Sequence, residues 1–115
     1  MIFLLAPTST AERRTFVARQ SKGFVYCVSL TGTTGAKLHS VADVEKNVAK
    51  IRKATRVPVA VGFGIATPED AANVAAIADG VSVGSAVVKQ IAIHHTKPDM
   101  GKKGAGVVRA LKTAM

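Results

Sequence analysis

The sequence has 115 residues, of which 48% are hydrophobic and 4% aromatic, and it contains no Trp, so we expect a single domain over residues 1–115 with an interior of small aliphatic side chains. The net charge of +9 suggests an acidic partner, but few aromatic residues accompany the basic ones, which argues against nucleic-acid binding. A single cysteine excludes an intramolecular disulfide and a cysteine-based metal cluster, and it favours a reducing, cytoplasmic setting.

Four short apolar runs along the chain predict strands. They are Ile2–Leu5, Phe24–Leu30, Val57–Val61 and Val81–Val83. Such nearly continuous β-branched runs indicate burial on both faces, as in parallel strands that helices cover. The first run is too short for a signal peptide or a membrane span, so we expect no membrane association.

Helices are predicted after the first three strands, because three hydroxyl residues each precede an acidic residue by three positions. These pairs are Ser9 with Glu12, Ser40 with Asp43, and Thr67 with Asp70. The second helix carries an apolar stripe that should face the sheet, and the third should run from Pro68 to about Ala78. The stripe consists of Val41, Val44, Val48 and Ile51.

The last quarter of the chain predicts two more helical stretches. An apolar segment, Ala86–Ile93, follows the fourth strand, and Ala105–Lys112 forms a final helix. Pro98 and Gly101 mark a loop from His94 to Gly104 between them. The whole pattern is four βα units plus a C-terminal helix, which gives an α/β parallel sheet with right-handed crossovers. Four units make half of a (β/α)₈ barrel of the TIM-barrel type, although an open doubly wound sheet fits the same pattern.

Glycines and hydroxyls collect where the strands end, which is the functional face in either architecture. They occur in residues 31–35, 62–64 and 84–85. Glycine lets the backbone approach an anion, and a helix N terminus offers unpaired N–H groups. We therefore predict a phosphate site with Gly64, Gly84 and Ser85 as the best donors. The loops lack the lysine of a P-loop and the dinucleotide fingerprint, which argues against nucleotide binding.

Other reactive side chains are not predicted at this face. Four of the seven carboxylates belong to first helical turns, namely Glu12, Asp43, Glu69 and Asp70. Glu45 lies inside a helix, Asp79 precedes the fourth strand at the opposite rim, and Asp99 lies in the late loop. No carboxylate pair is left for general acid and base work. We interpret His39, His94 and His95 as surface residues and Cys27 as a packing residue, and we expect no metal site.

Four segments together resemble the alpha subunit of tryptophan synthase. They are Leu5–Thr10, Tyr26–Ser29 with Thr31–Ala36, Val59–Ile65 and Gly84–Lys89, and the resemblance extends over essentially the whole chain. It implies strands five to eight of a barrel that cleaves indole-3-glycerol phosphate to indole and glyceraldehyde 3-phosphate. It further implies no cofactor in this chain and a beta-subunit partner that carries pyridoxal phosphate.

The same resemblance implies roles for individual residues. The substrate phosphate would be held largely by backbone N–H groups, and a pocket for indole would lie beside it; the phosphate residues are Gly35, Phe63, Gly64, Gly84 and Ser85, and the pocket residues are Leu4, Tyr26, Gly62 and Phe63. Thr34 matches an active-site threonine in the mobile loop after strand six, whose surroundings contact the beta subunit.

The family's general acid and its catalytic aspartate belong to an N-terminal half that has no counterpart in these residues. We therefore expect this chain to be inactive alone. The alternative is a non-catalytic phosphate-binding half barrel that self-associates, because strands Ile2–Leu5 and Val81–Val83 would be open apolar edges.

Overall fold

The computed structural model describes residues 1–29, 41–62 and 64–115. The elements of this part alternate between strand and helix until two helices close the chain. In order they are β1 (Phe3–Leu5), α1 (Ala11–Gln20), β2 (Val25–Val28), α2 (Val41–Ala54), β3 (Val59–Gly62), α3 (Pro68–Ala75), β4 (Gly80–Ser82), α4 (Ser85–His94) and α5 (Met100–Ala114).

The strands form one parallel sheet in the order β1-β2-β3-β4. Each strand pairs with its successor in the chain, and a right-handed crossover repeated in this way keeps every helix on the same side. A doubly wound sheet reverses its strand order and has helices on both faces. The sequential order therefore identifies four βα units of the barrel type and excludes the open alternative.

The two faces of the sheet differ in burial. Leu5, Val25, Cys27, Val59 and Val61 point to one face and are at most 2% exposed. They pack against apolar residues of the helices, which are Val17, Val44, Val48, Ile51, Ala71, Val74 and Leu111. The predicted stripe on α2 is thus confirmed for its last three members, while Val41 is half-buried.

The opposite face, which we call the bare face, has no helix over it in the described residues. It carries the alternate residues of each strand, and Leu4 on it is 60% exposed. Tyr26 and Ala60 follow Leu4 across the sheet and are half-buried. In a closed barrel, the corresponding side chains fill the interior.

The first helix begins one residue later than predicted. Thr10 is the N-cap of α1, and its hydroxyl accepts a hydrogen bond from the Arg13 N–H at 3.2 Å. Ser9 instead closes a turn after β1, because its hydroxyl accepts from the Ala6 N–H at 3.1 Å. The Thr67 prediction is confirmed, with a complete capping box between Thr67 and Asp70. Ser40 lies outside the described residues.

The prediction of a loop through Gly104 was wrong, because α5 already begins at Met100. Gly101, Gly104 and Gly106 lie within its first two turns, and each has open space where a Cβ would be. Packing of Leu111 in the core stabilises this helix despite its glycines.

Candidate functional site

The carboxyl ends of β3 and β4 lie side by side, because Gly62 is paired in register with Ser82. The segments that leave these two strands therefore start next to each other at one rim of the sheet. Gly64 follows β3 with a φ of +78°, which L side chains rarely adopt. Gly84 follows β4 and is the N-cap of α4. The fold thus places three predicted phosphate residues, Gly64, Gly84 and Ser85, at neighbouring strand ends.

The N terminus of α4 is left without a side-chain cap. The Val87 and Val88 N–H groups both donate to the Gly84 carbonyl, at 3.0 and 3.1 Å. The N–H groups of Ser85 and Ala86 precede them and have no acceptor within the helix. The first turn of α4 contains no acidic residue. This helix end therefore offers backbone donors and the positive end of a helix dipole without a competing anion.

Helices α1 and α3 begin differently at the same rim. Thr10 caps α1 and Thr67 caps α3, and both helices have acidic residues in the first turn. The Asp70 carboxylate accepts hydrogen bonds from the Ala66 and Thr67 N–H groups at 3.2 and 3.1 Å. Partial burial opposes ionisation of Asp70, but these bonds outweigh it and hold its pKa below the ordinary value. The start of α3 therefore disfavours a bound anion, whereas the start of α4 has neither a side-chain cap nor an acidic residue in its first turn.

The space in front of Gly84 is open. A Cβ built there would meet no atom within 4 Å, and the φ of −118° is one that any residue adopts. Neither the conformation nor the packing of the fold therefore requires glycine at this position. A ligand that approaches the N terminus of α4 closely would require it.

The residues predicted to line the indole pocket lie together on the bare face. Leu4 is paired in register with Tyr26, so the two side chains are neighbours on adjacent strands. The Tyr26 ring extends over Gly62, where a Cβ would overlap both Cζ and the hydroxyl of the phenol. Gly62 therefore makes room for Tyr26, and the two form the floor of the face next to the rim.

A buried hydroxyl that the sequence analysis did not single out joins β2 to β3 at this rim. Ser29 is 2% exposed, and its Oγ–H donates to the Gly62 carbonyl at 2.6 Å. The Ser29 N–H donates to the same carbonyl at 3.0 Å. In the sequence this residue is a polar side chain within the predicted strand Phe24–Leu30, and that signal did not identify the partner, which is 33 positions away.

Besides Ser40, four residues to which the sequence assigned a role lie outside the described part of the chain. They are Thr34, Gly35, His39 and Phe63. Their assigned roles stay predictions.

The carboxylates lie where the sequence placed them. Asp79 precedes β4 at the opposite rim, where its carboxylate accepts from the Val59 N–H at 2.9 Å and from Arg52 at 3.1 Å. These two contacts hold the pKa of Asp79 below its ordinary value. Asp43 lines a cleft of about 360 Å³ together with Pro7 and Lys50. That cleft lies beside α2 and not on the bare face.

The remaining reactive side chains do not converge. Burial raises the pKa of the Cys27 thiol to about 11, so the thiol stays protonated and acts as packing. His95 is exposed, and its Nδ1 lies 2.9 Å from the Ala92 carbonyl oxygen. His94 is half-buried, so its interpretation as a surface residue holds only in part. Among residues 1–29, 41–62 and 64–115, no three His, Cys, Asp or Glu side chains could hold a metal ion, and no helix is long and apolar enough to cross a membrane.

Comparison with known proteins identifies the family to which this chain is similar. The model of the family described as "Tryptophan synthase alpha chain" matches residues 1–115. Tryptophan synthase alpha chains of Geobacter sulfurreducens and Dehalococcoides mccartyi are 55% and 46% identical over 115 residues, which is all of this chain and 43% and 44% of theirs. The chain thus spans less than half the length of these relatives.

Solved structures agree with the sequence matches. The crystal structure of tryptophan synthase subunit alpha from Legionella pneumophila has a TM-score of 0.78 at 33% identity, over 98% of this chain and 41% of that one. A structure titled for the mutual activation of the tryptophan synthase α2β2 complex of Pyrococcus furiosus has a TM-score of 0.77 at 34% identity. It covers 97% of this chain and 45% of that one.

Proposed function

This chain belongs to the tryptophan synthase alpha chain family, and we propose that it forms the phosphate-binding part of a site that cleaves indole-3-glycerol phosphate to indole and glyceraldehyde 3-phosphate. In this proposal Gly64, Gly84 and Ser85 bind the substrate phosphate through backbone N–H groups. Gly35 and Phe63 join them according to the family resemblance. The indole moiety lies on the bare face, against Leu4 and Tyr26.

The observation that carries the proposal is the uncapped N terminus of α4 beside the end of β3. Its donors have no acidic residue in the first turn, and the space before Gly84 is open. A phosphate dianion gains from both the helix dipole and the unpaired N–H groups. The capped start of α3 provides an internal comparison at the same rim.

The chemical step needs groups that these 115 residues do not supply. Aldol cleavage of a glycerol phosphate side chain requires proton transfer at the hydroxyl and at the indole ring. All seven carboxylates lie in helix starts, inside α2, at the opposite rim or before α5. We therefore propose that this chain binds the phosphate but does not cleave the substrate by itself.

Phosphate binding can be tested by titrating the ¹⁵N-labelled chain with glycerol 3-phosphate. We expect the amide signals of Gly64, Ser85 and Ala86 to shift together, while that of Asp70 in α3 stays in place. Gly84→Ala should leave the melting temperature nearly unchanged, because its Cβ meets open space. It should weaken binding by about tenfold, which corresponds to about 1.4 kcal/mol. Equal shifts at α3 and α4, or unaltered binding by Gly84→Ala, would contradict the proposal.

Catalysis and the protein partner can be tested in a second assay. We expect no indole release from the chain alone. Release should appear when a separately expressed N-terminal half of a close relative is added, and a tryptophan synthase beta subunit should increase it. The partner is proposed because the similar structure from Pyrococcus furiosus is that of a tryptophan synthase α2β2 complex. Indole release by the purified chain alone would refute the claim that it is inactive by itself.

Self-association is the second candidate property, and the two edges of the sheet favour it. In the described residues β1 pairs only with β2 and β4 only with β3, so one side of each edge strand has unpaired backbone groups. Leu4 is exposed next to one of these edges. Exposed apolar edges pair readily with another copy. Light scattering at micromolar concentration should show a dimer, and a monomer would count against this proposal.

A further inference from the structure

The hydroxyl of Ser29 makes a hydrogen bond to the Gly62 carbonyl that is not part of the backbone pairing between β2 and β3. The paired register of β2 and β3 ends at Val28 and Gly62. Ser29 lies one residue beyond β2 and donates twice to the Gly62 carbonyl, from its N–H at 3.0 Å and from its Oγ–H at 2.6 Å. The ladder supplies the first of these bonds, and the side chain adds the second.

These two bonds act on the residue from which the Gly64 turn departs. The peptide group is planar, so fixing the carbonyl of Gly62 also fixes the direction in which the chain leaves β3. Gly64 follows two residues later with a positive φ, which is only one of several conformations that glycine populates about equally well. A turn of this kind needs support from outside if it is to present its backbone in one arrangement.

Burial makes the support by Ser29 rigid. The side chain is 2% exposed, so water does not compete for the Gly62 carbonyl. A hydroxyl at 2.6 Å is at the short end of the O–H···O range. A buried carbonyl with two donors holds its orientation more firmly than one with a single ladder bond.

We propose that Ser29 is a positioning residue for anion binding, which holds the Gly62 carbonyl so that the Gly64 turn faces the N terminus of α4. The inference rests on the proposed phosphate site and deepens it. The residue touches no ligand itself. It acts through the orientation of the turn.

The chain offers a matched control in Ser21. This residue is 6% exposed and also donates its hydroxyl to a backbone carbonyl, that of Val17, at 2.8 Å. It caps the C terminus of α1 and therefore lies at the opposite rim of the sheet. Ser29→Ala and Ser21→Ala each remove a buried hydrogen bond from a serine hydroxyl to a backbone carbonyl, and both should lower the melting temperature.

The test compares Ser29→Ala, Ser29→Thr and Ser21→Ala for glycerol 3-phosphate affinity and for amide hydrogen exchange without ligand. We expect Ser29→Ala to weaken binding about fivefold, the effect of one buried hydrogen bond. It should also speed exchange at Gly64 and Ile65. Ser29→Thr keeps the donor and should restore both properties, and Ser21→Ala should change neither.

Other outcomes would contradict either the positioning role of Ser29 or the proposed phosphate site. Unchanged affinity in Ser29→Ala, or an equal loss in Ser21→Ala, would overturn the positioning role. If the unaltered chain does not bind glycerol 3-phosphate at all, the proposed function fails. The exchange comparison then still decides whether Ser29 holds the turn, and unchanged exchange at Gly64 in Ser29→Ala would overturn that as well.

Discussion

Replacement of Gly62 by alanine tests the close approach of Tyr26 to the floor of the bare face. The new Cβ would overlap Cζ and the hydroxyl of Tyr26, and it would lie 3.1 Å from the Cβ of Ser82. Because Ser82 belongs to β4 and is held by the sheet, the tyrosine ring has to move. Overpacking costs about 1–3 kcal/mol in a well-packed core, and we expect the low end of this range because the half-buried Tyr26 ring can move on the bare face.

The expected magnitude can be read in a thermal melt. A loss of about 1 kcal/mol lowers the melting temperature by roughly 4–8 °C in a domain of about 100 residues. Tyr26→Leu in the Gly62→Ala background removes the overlapping atoms and should recover most of this fall. The part due to the Ser82 contact should remain. The coupling free energy of this double-mutant cycle should be about 1 kcal/mol or more.

Gly80→Ala is the matched control, since it adds the same methyl group on the same face. Its Cβ would lie 3.4 Å from the Cβ of Ala60, an ordinary contact distance. We expect little change in its melting temperature. If Gly62→Ala melts like Gly80→Ala, or if Tyr26→Leu restores nothing, then the ring does not depend on the glycine and the reasoning is refuted.

Two further predictions concern titration and the opposite rim. The pKa of Cys27 is raised from 9.0 to about 11, so its stabilising effect is complete below pH 9 and is lost as the pH rises to 11. In denaturant melts, the free energy of unfolding of the unaltered chain should fall by up to about 3 kcal/mol more over this range than that of Cys27→Ala. Parallel pH profiles of the two proteins would disprove this. Asp79→Ala should cost about 1 kcal/mol through the lost Val59 bond, whereas Arg52→Met, which breaks only an exposed ion pair, should cost less in the same melts. Equal costs would show that the ion pair matters more than the backbone bond.

The sequence predicted those parts of the fold that depend on neighbouring residues. The capping box of Thr67 and Asp70 lies within four positions, and the α2 stripe repeats with the period of one helix. The parallel sheet followed from continuous apolar runs. Where two hydroxyl residues stand side by side, as at Ser9 and Thr10, the local pattern pointed to Ser9 because Glu12 follows it by three positions, whereas Thr10 caps α1.

Features that depend on distant residues were not predictable. The start of α5 was missed because Gly101 and Gly104 disfavour a helix locally, while the packing that overrides them comes from residues such as Leu111. The bond from Ser29 to Gly62 requires the register of two strands that α2 separates in the chain. The candidate phosphate residues could be named because glycines at strand ends are visible in the sequence itself, and their role stays a prediction.

The sequential strand order also determines how the molecule can come apart. Because each strand pairs only with strands that are consecutive to it in the chain, β1 or β4 can detach while the ladder between β2 and β3 stays complete. Unfolding of the sheet should therefore spread from the two edges inward. The hydrogen bond from Ser29 to Gly62 joins β2 and β3, the strand pair that separates last. A protein built in this way can lose or gain a terminal βα unit without rearranging the pairings that remain.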